Sequence, residues 1–145
     1  MQLRTWLKYL IYTFIIIAFM YLGEYVFIYI KKLREVTFNS SVYQYDLITF
    51  IFYAAIGFLI GLEYFLKEKR KEGRWKINVP KLILMGLPSL YFSLYAFIFY
   101  FSVPSVVNIL IQPIVFFLNN ITFMAIFQLL FGYVIITSLY KELEE

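Results

Sequence analysis

Neither cysteine nor histidine occurs among the 145 residues. Their absence removes disulfides, thiolate nucleophiles, imidazole acid–base chemistry and the commonest zinc and copper ligands in one step. Charge is scarce as well: 15% of the residues are Asp, Glu, Lys or Arg, against about 25% in an ordinary soluble domain. The scarcity is concentrated, because no charged residue occurs from Leu82 to Tyr140. A glycine-rich phosphate loop, a nucleophile elbow, a metal-ligand cluster and a close pair of intramembrane carboxylates are all missing from the sequence. These absences point to a non-enzyme with no cofactor and no metal. Nucleic acid is a poor partner for a chain whose one basic loop is short and carries no accompanying motif.

What fills the chain instead is apolar: hydrophobic residues make up 63% of it, more than a soluble core of one domain absorbs. Uncharged runs longer than about 18 residues read as membrane-spanning. Four spans are predicted, at about residues 7–30, 47–66, 82–103 and 121–140. The expected fold class is therefore an all-α membrane protein, a four-transmembrane-helix bundle forming a single domain over residues 1–145. The first span follows a basic stretch (Arg4, Lys8) like a signal peptide. Its apolar run is too long for one and no small-x-small cleavage site follows, so it reads as an uncleaved helix.

Asp46 stands where it could cap the second span, and Gly73 is placed to end that helix's continuation. Trp75, Ile77 and Val79 alternate with Lys76 and Asn78, the pattern of an extended strip at an interface. Pro88 should kink the third span or free a carbonyl. A helix running from Ile114 to Tyr140 would be too long, and the adjacent Asn119 and Asn120 favour a break before Ile121. The apolar stretch 104–118, divided by Pro113, is too short to cross, and is expected to be re-entrant or to lie in the outer interface.

Orientation follows from the basic residues. Arg4, Lys8, Lys67, Lys69, Arg70, Lys71, Arg74, Lys76, Lys81 and Lys141 fall on one side of a four-span chain; Lys31, Lys32 and Arg34 fall on the other. Ten against three places both termini in the cytoplasm of a multi-pass cell-membrane protein. Tyr21, Tyr25 and Tyr29, with Trp6 and Tyr9 at the opposite end, suit the two aromatic belts.

Three groups of residues are candidates for a site. Glu24 lies deep in the first span, where side chains lean further inward, so its carboxylate should face protein or be protonated. Counting the same depth along the other spans brings Tyr53, Phe97 and Gln128 to its level, so Glu24, Gln128 and Tyr53 form a candidate intramembrane polar layer. Gly57 and Gly61, with Ala54 one turn earlier, make a flat strip for helix packing, inside the monomer or between copies. Lys67, Lys69, Arg70, Lys71, Arg74 and Lys76, in the basic cytoplasmic loop 67–81, are the candidate contact for anionic lipid headgroups or an acidic partner. Glu63 and Lys67 have the spacing of a helical ion pair.

The expected partners are the bilayer and a membrane protein or a second copy. Function is read as a non-catalytic subunit, assembly or regulatory component. The alternative is a transporter or channel for a proton, an ion or a small lipophilic molecule, centred on Glu24.

Overall fold

The computed structural model describes residues 2–37, 42–94, 97–98 and 121–142. The protein is mostly helical and divides into two compact units, Met1–Ser41 and Val42–Glu145. The first unit is a single helix, α1 (Gln2–Thr37), interrupted by no proline and by a single glycine. The second contains α2 (Val42–Lys69), strand β1 (Arg74–Ile77), helix α3 (Val79–Ser93), helix α4 (Ile121–Thr137) and strand β2 (Leu139–Glu142). Two stretches, Tyr9–Lys32 in α1 and Tyr45–Lys69 in α2, are long and apolar enough to cross a membrane. The apolar segment 104–118 lies outside the described residues.

Several boundaries differ from those read in the sequence. The second helix begins at Val42, so Asp46 sits inside it rather than at its cap. The last helix stops at Thr137 instead of Tyr140, and Leu139–Glu142 is extended. That segment pairs antiparallel with Arg74–Ile77, Trp75 opposite Lys141 and Ile77 opposite Leu139. The fold is accordingly mostly helical with one short strand pair, and residues 67–81 comprise the end of α2, a turn, β1 and the first turn of α3. The physical reason is that both strands leave helix ends at the same edge of the unit, where each supplies the other with backbone partners.

α2 winds down through short-range bonds, Arg70 N–H to the Lys67 carbonyl and Lys71 N–H to the Glu68 carbonyl. Gly73 then reverses the chain at φ 121°, a left-handed value that a residue with a Cβ rarely adopts. Asn78 starts α3: its side chain accepts from Lys81 N–H at 3.1 Å, and its own N–H reaches the Ser138 carbonyl at 2.8 Å. Pro88 has no N–H to give to the carbonyl of Leu84, and the turn before it widens to a π-helix over Leu82–Gly86, with Leu87 N–H bonded to the Leu82 carbonyl. The Ser89 hydroxyl donates to the Gly86 carbonyl at 2.9 Å.

α2 and α4 run parallel. Gly57 lies against the backbone of Leu129 and Tyr133, Gly132 against that of Ala54, and Gly61 against Ile136 and Thr137. Two residues without a Cβ, Gly57 and Gly132, thus let two helix backbones touch, and Gly61 makes room for side chains of α4. Backbones this close gain dispersion contacts along the whole seam. α3 packs antiparallel on α4, with Gly86 by Val134 and Phe92 stacked on Phe127 at 4.6 Å. Met124, Val134 and Ile136 are buried in this unit, and Phe50 meets Phe131 at 5.8 Å.

Candidate functional site

The parallel course of α2 and α4 brings both of their C-terminal ends to the β1–β2 edge. A helix C-terminus carries unpaired carbonyls and a partial negative charge, best met by a cation. Each helix receives a lysine from elsewhere in the chain. Lys141 of β2 donates its ammonium to the carbonyls of Lys69 and Lys71, at 3.1 and 2.7 Å, and lies over the Trp75 ring at 5.4 Å. Lys81 of α3 donates to the carbonyl and hydroxyl of Thr137, at 3.2 and 2.8 Å, while the Thr137 hydroxyl donates to Tyr133 O at 2.7 Å.

Glu68 ties the edge together. It is 4% exposed, accepts from the Lys71 ammonium at 2.6 Å and from the backbone N–H of Lys141 at 3.2 Å. Trp75 stacks on Phe65 of α2 at 5.1 Å, so the strand is held to the helix by a ring pair as well as by Glu68.

The six basic residues read from the sequence are therefore not one undivided positive patch. Lys67 pairs with Glu63 at 3.3 Å, Lys71 with Glu68, and Lys76 with Glu142. The hydrogen bond from Lys71 to Glu68 holds its ammonium above the ordinary lysine value, and that from Lys76 to Glu142 does the same. Arg74 lies in β1 opposite Glu142, whereas Lys69 and Arg70 are exposed at the end of α2. Lys81 differs from all of these. It is half-buried, lies 5.7 Å from the Tyr64 ring centre and 5.5 Å from that of Tyr133, and has no carboxylate partner among the described residues. Loss of water at this end of the hairpin, outside the predicted spans, holds its ammonium below the usual lysine range.

The polar-layer candidates separate between the two units. Glu24 is exposed on α1. Tyr53 and Gln128 belong to the second unit, where the pairing of Gly57 with Leu129 and Tyr133 brings them to a common level. On α3 the residue at that level is Tyr91, not Phe97, because Phe92 stacks on Phe127. Gln128 is 3% exposed, and its Oε1 has no hydrogen-bond partner among the described residues. Gly57 and Gly61 both face α4 within the chain.

Sequence reasoning missed four participants: Glu68, Lys81, Gly132 and the capping role of Lys141. Lys81 and Lys141 were counted only as topology charges, and Gly132 stands alone in an apolar run with no spacing to mark it. Among the described residues no group of three or more His, Cys, Asp or Glu side chains is placed to hold a metal ion.

The class defined so far is a mostly helical protein with two helices long and apolar enough to span a membrane, closed at one edge by a lysine-capped strand pair. Comparison with protein-family models, with curated proteins and with solved structures finds no match.

Proposed function

We propose that this chain is a small multi-pass membrane protein that acts without catalysis, as a subunit, assembly factor or regulator whose helices contact a membrane partner. The observation that carries the reading is the surface of α1. Over the 24 residues Tyr9–Lys32 most of its apolar side chains are exposed, among them Phe14 at 70%, Tyr21 at 76% and Tyr25 at 75%. A helix apolar all round is stable only where lipid or another protein covers it. The ten-to-three distribution of basic residues supports a cytoplasmic location for both ends, and in that orientation the β1–β2 edge lies at the inner surface.

The test is photo-crosslinking in native membranes from single positions on α1, at Phe14, Tyr21 and Tyr25. A discrete protein adduct from at least one face is the expected result. Adducts to lipid alone from all three positions would sink the component reading.

A second reading is a transporter or channel for a proton, an ion or a small lipophilic molecule centred on Glu24; within the second unit, the buried Gln128 Oε1, without a partner among the described residues, is the observation that favours it. A buried carbonyl oxygen without a donor costs about 1–3 kcal/mol, a cost that a passing or bound donor would relieve. In proteoliposomes, Glu24→Gln should then abolish a flux that the unsubstituted protein supports. A flux equal in both would remove this reading.

A further inference from the structure

Lys81 ends a strip of surface whose chemistry matches that of an amphiphile. Its ammonium has three donors, and two go to Thr137. No carboxylate among the described residues neutralises it, and the rings of Tyr64 and Tyr133 flank it. From there the surface becomes apolar in helical steps. On α2, Ile60 lies one turn from Tyr64 on the same face, and the two are 42% and 40% exposed. On α4, Ile126 stands two turns from Tyr133 on one face and is 47% exposed. A half-buried cation at one end, two aromatic rings beside it and an exposed apolar strip beyond form the complement of a phosphate bearing acyl chains.

We propose that the junction of Lys81, Tyr64 and Tyr133 binds the phosphate of an anionic glycerophospholipid of the inner leaflet, whose acyl chains lie along Ile60 and Ile126. This rests on the membrane reading above and adds a defined site to it. Lys69 and Arg70 are the internal contrast: both are exposed at the end of α2 and attract any anionic surface, but among the described residues neither ammonium nor guanidinium lies over a ring.

The test uses the full chain, purified in a neutral detergent, and follows its thermal midpoint as phosphatidylglycerol, phosphatidylcholine or inorganic phosphate is added. Phosphatidylglycerol should raise the midpoint in a saturable way, and Lys81→Gln should weaken that response by about tenfold or more, as expected for one charge-assisted contact. Lys81→Arg and the double variant Lys69→Gln/Arg70→Gln should keep it. A Lys81→Gln protein that starts from a lower midpoint but gains as much from phosphatidylglycerol as the unsubstituted protein would overturn the proposal, leaving Lys81 a helix cap only. An equal response to inorganic phosphate would replace the lipid with a soluble anion, and an equal response to phosphatidylcholine would remove the charge from the argument. Should Lys81→Gln fail to fold, a photoactivatable phosphatidylglycerol decides on the unsubstituted protein. Its adducts should map to peptides containing Tyr64, Lys81 or Tyr133, and adducts confined to other peptides overturn the proposal. Extraction of the chain from membranes by alkaline carbonate would refute the membrane reading itself, an outcome distinct from any of these.

Discussion

Gly132→Ala and Gly57→Ala should each prevent the second unit from reaching its native packing, while Gly86→Ala should be nearly silent. The three substitutions are chemically identical and differ only in what the new methyl meets. At Gly57 it would fall well inside the van der Waals contact distance of the Leu129 carbonyl oxygen, 2.9 Å from the Tyr133 nitrogen, and at Gly132 well inside that of the Ala54 carbonyl oxygen. Both obstacles are backbone, which has no rotamer to yield, so relief requires the whole helices to separate. At Gly86 the nearest atom is a Val134 methyl at 3.5 Å, ordinary contact. Overpacking costs about 1–3 kcal/mol where side chains can adjust; here the upper end or beyond is expected. Thermal midpoints of the three variants in detergent check the order. Equal loss at all three positions would show that the glycines act through backbone flexibility rather than through contact between α2 and α4.

The second large effect is expected at Glu68. Glu68→Ala removes the acceptor for both the Lys71 ammonium and the Lys141 N–H, and with it the alignment that lets Lys141 cap α2. Exchange of the Lys141 amide should rise roughly tenfold, the equivalent of one net hydrogen bond, with a larger rise at Asn78 if the ladder opens as a unit. Glu68→Gln keeps an oxygen acceptor and should lose less. The same edge predicts a pH dependence. Lys71 and Lys76 are held above their ordinary value of 10.5 by their carboxylate partners. A group whose native value is raised contributes its full stabilisation below the unfolded value and loses it as pH rises through the native one. The strand pair should therefore be unaffected through neutral pH and loosen only above the ordinary lysine range. Loosening between pH 7 and 9 would assign the edge to other groups.

The helical character of the first two helices was legible because each rests on a local pattern, although both helices extend past the apolar runs at either end. Long apolar runs from Leu7 to Ile30 and from Leu47 to Leu66, interrupted only by Lys8, Glu24 and Glu63, need no distant residue to be read. The strand pair was not legible for the opposite reason. Trp75, Lys76 and Ile77 alternate as an extended segment does, but their partners, Leu139 to Lys141, continue the uncharged run of the last helix almost to its end and read as helix. Only the Asn78 and Glu68 contacts, which join residues distant in sequence, decide where that helix stops. The site divides in the same way. Gly57 and Gly61 carry a four-residue spacing that points to packing, whereas Gly132, which meets Ala54, has none. The basic loop was visible as composition, but which of its cations are matched by carboxylates and which is held between two rings depends on pairings across the unit.

The central claim is a multi-pass membrane chain with the β1–β2 edge on the cytoplasmic side, and the absence of native cysteine makes it directly testable by single-cysteine labelling with a membrane-impermeant maleimide. Lys69→Cys and Arg70→Cys should react only after the membrane is opened, and Ser40→Cys should react in intact cells. The reverse pattern, or reaction of all three without opening the membrane, would contradict it.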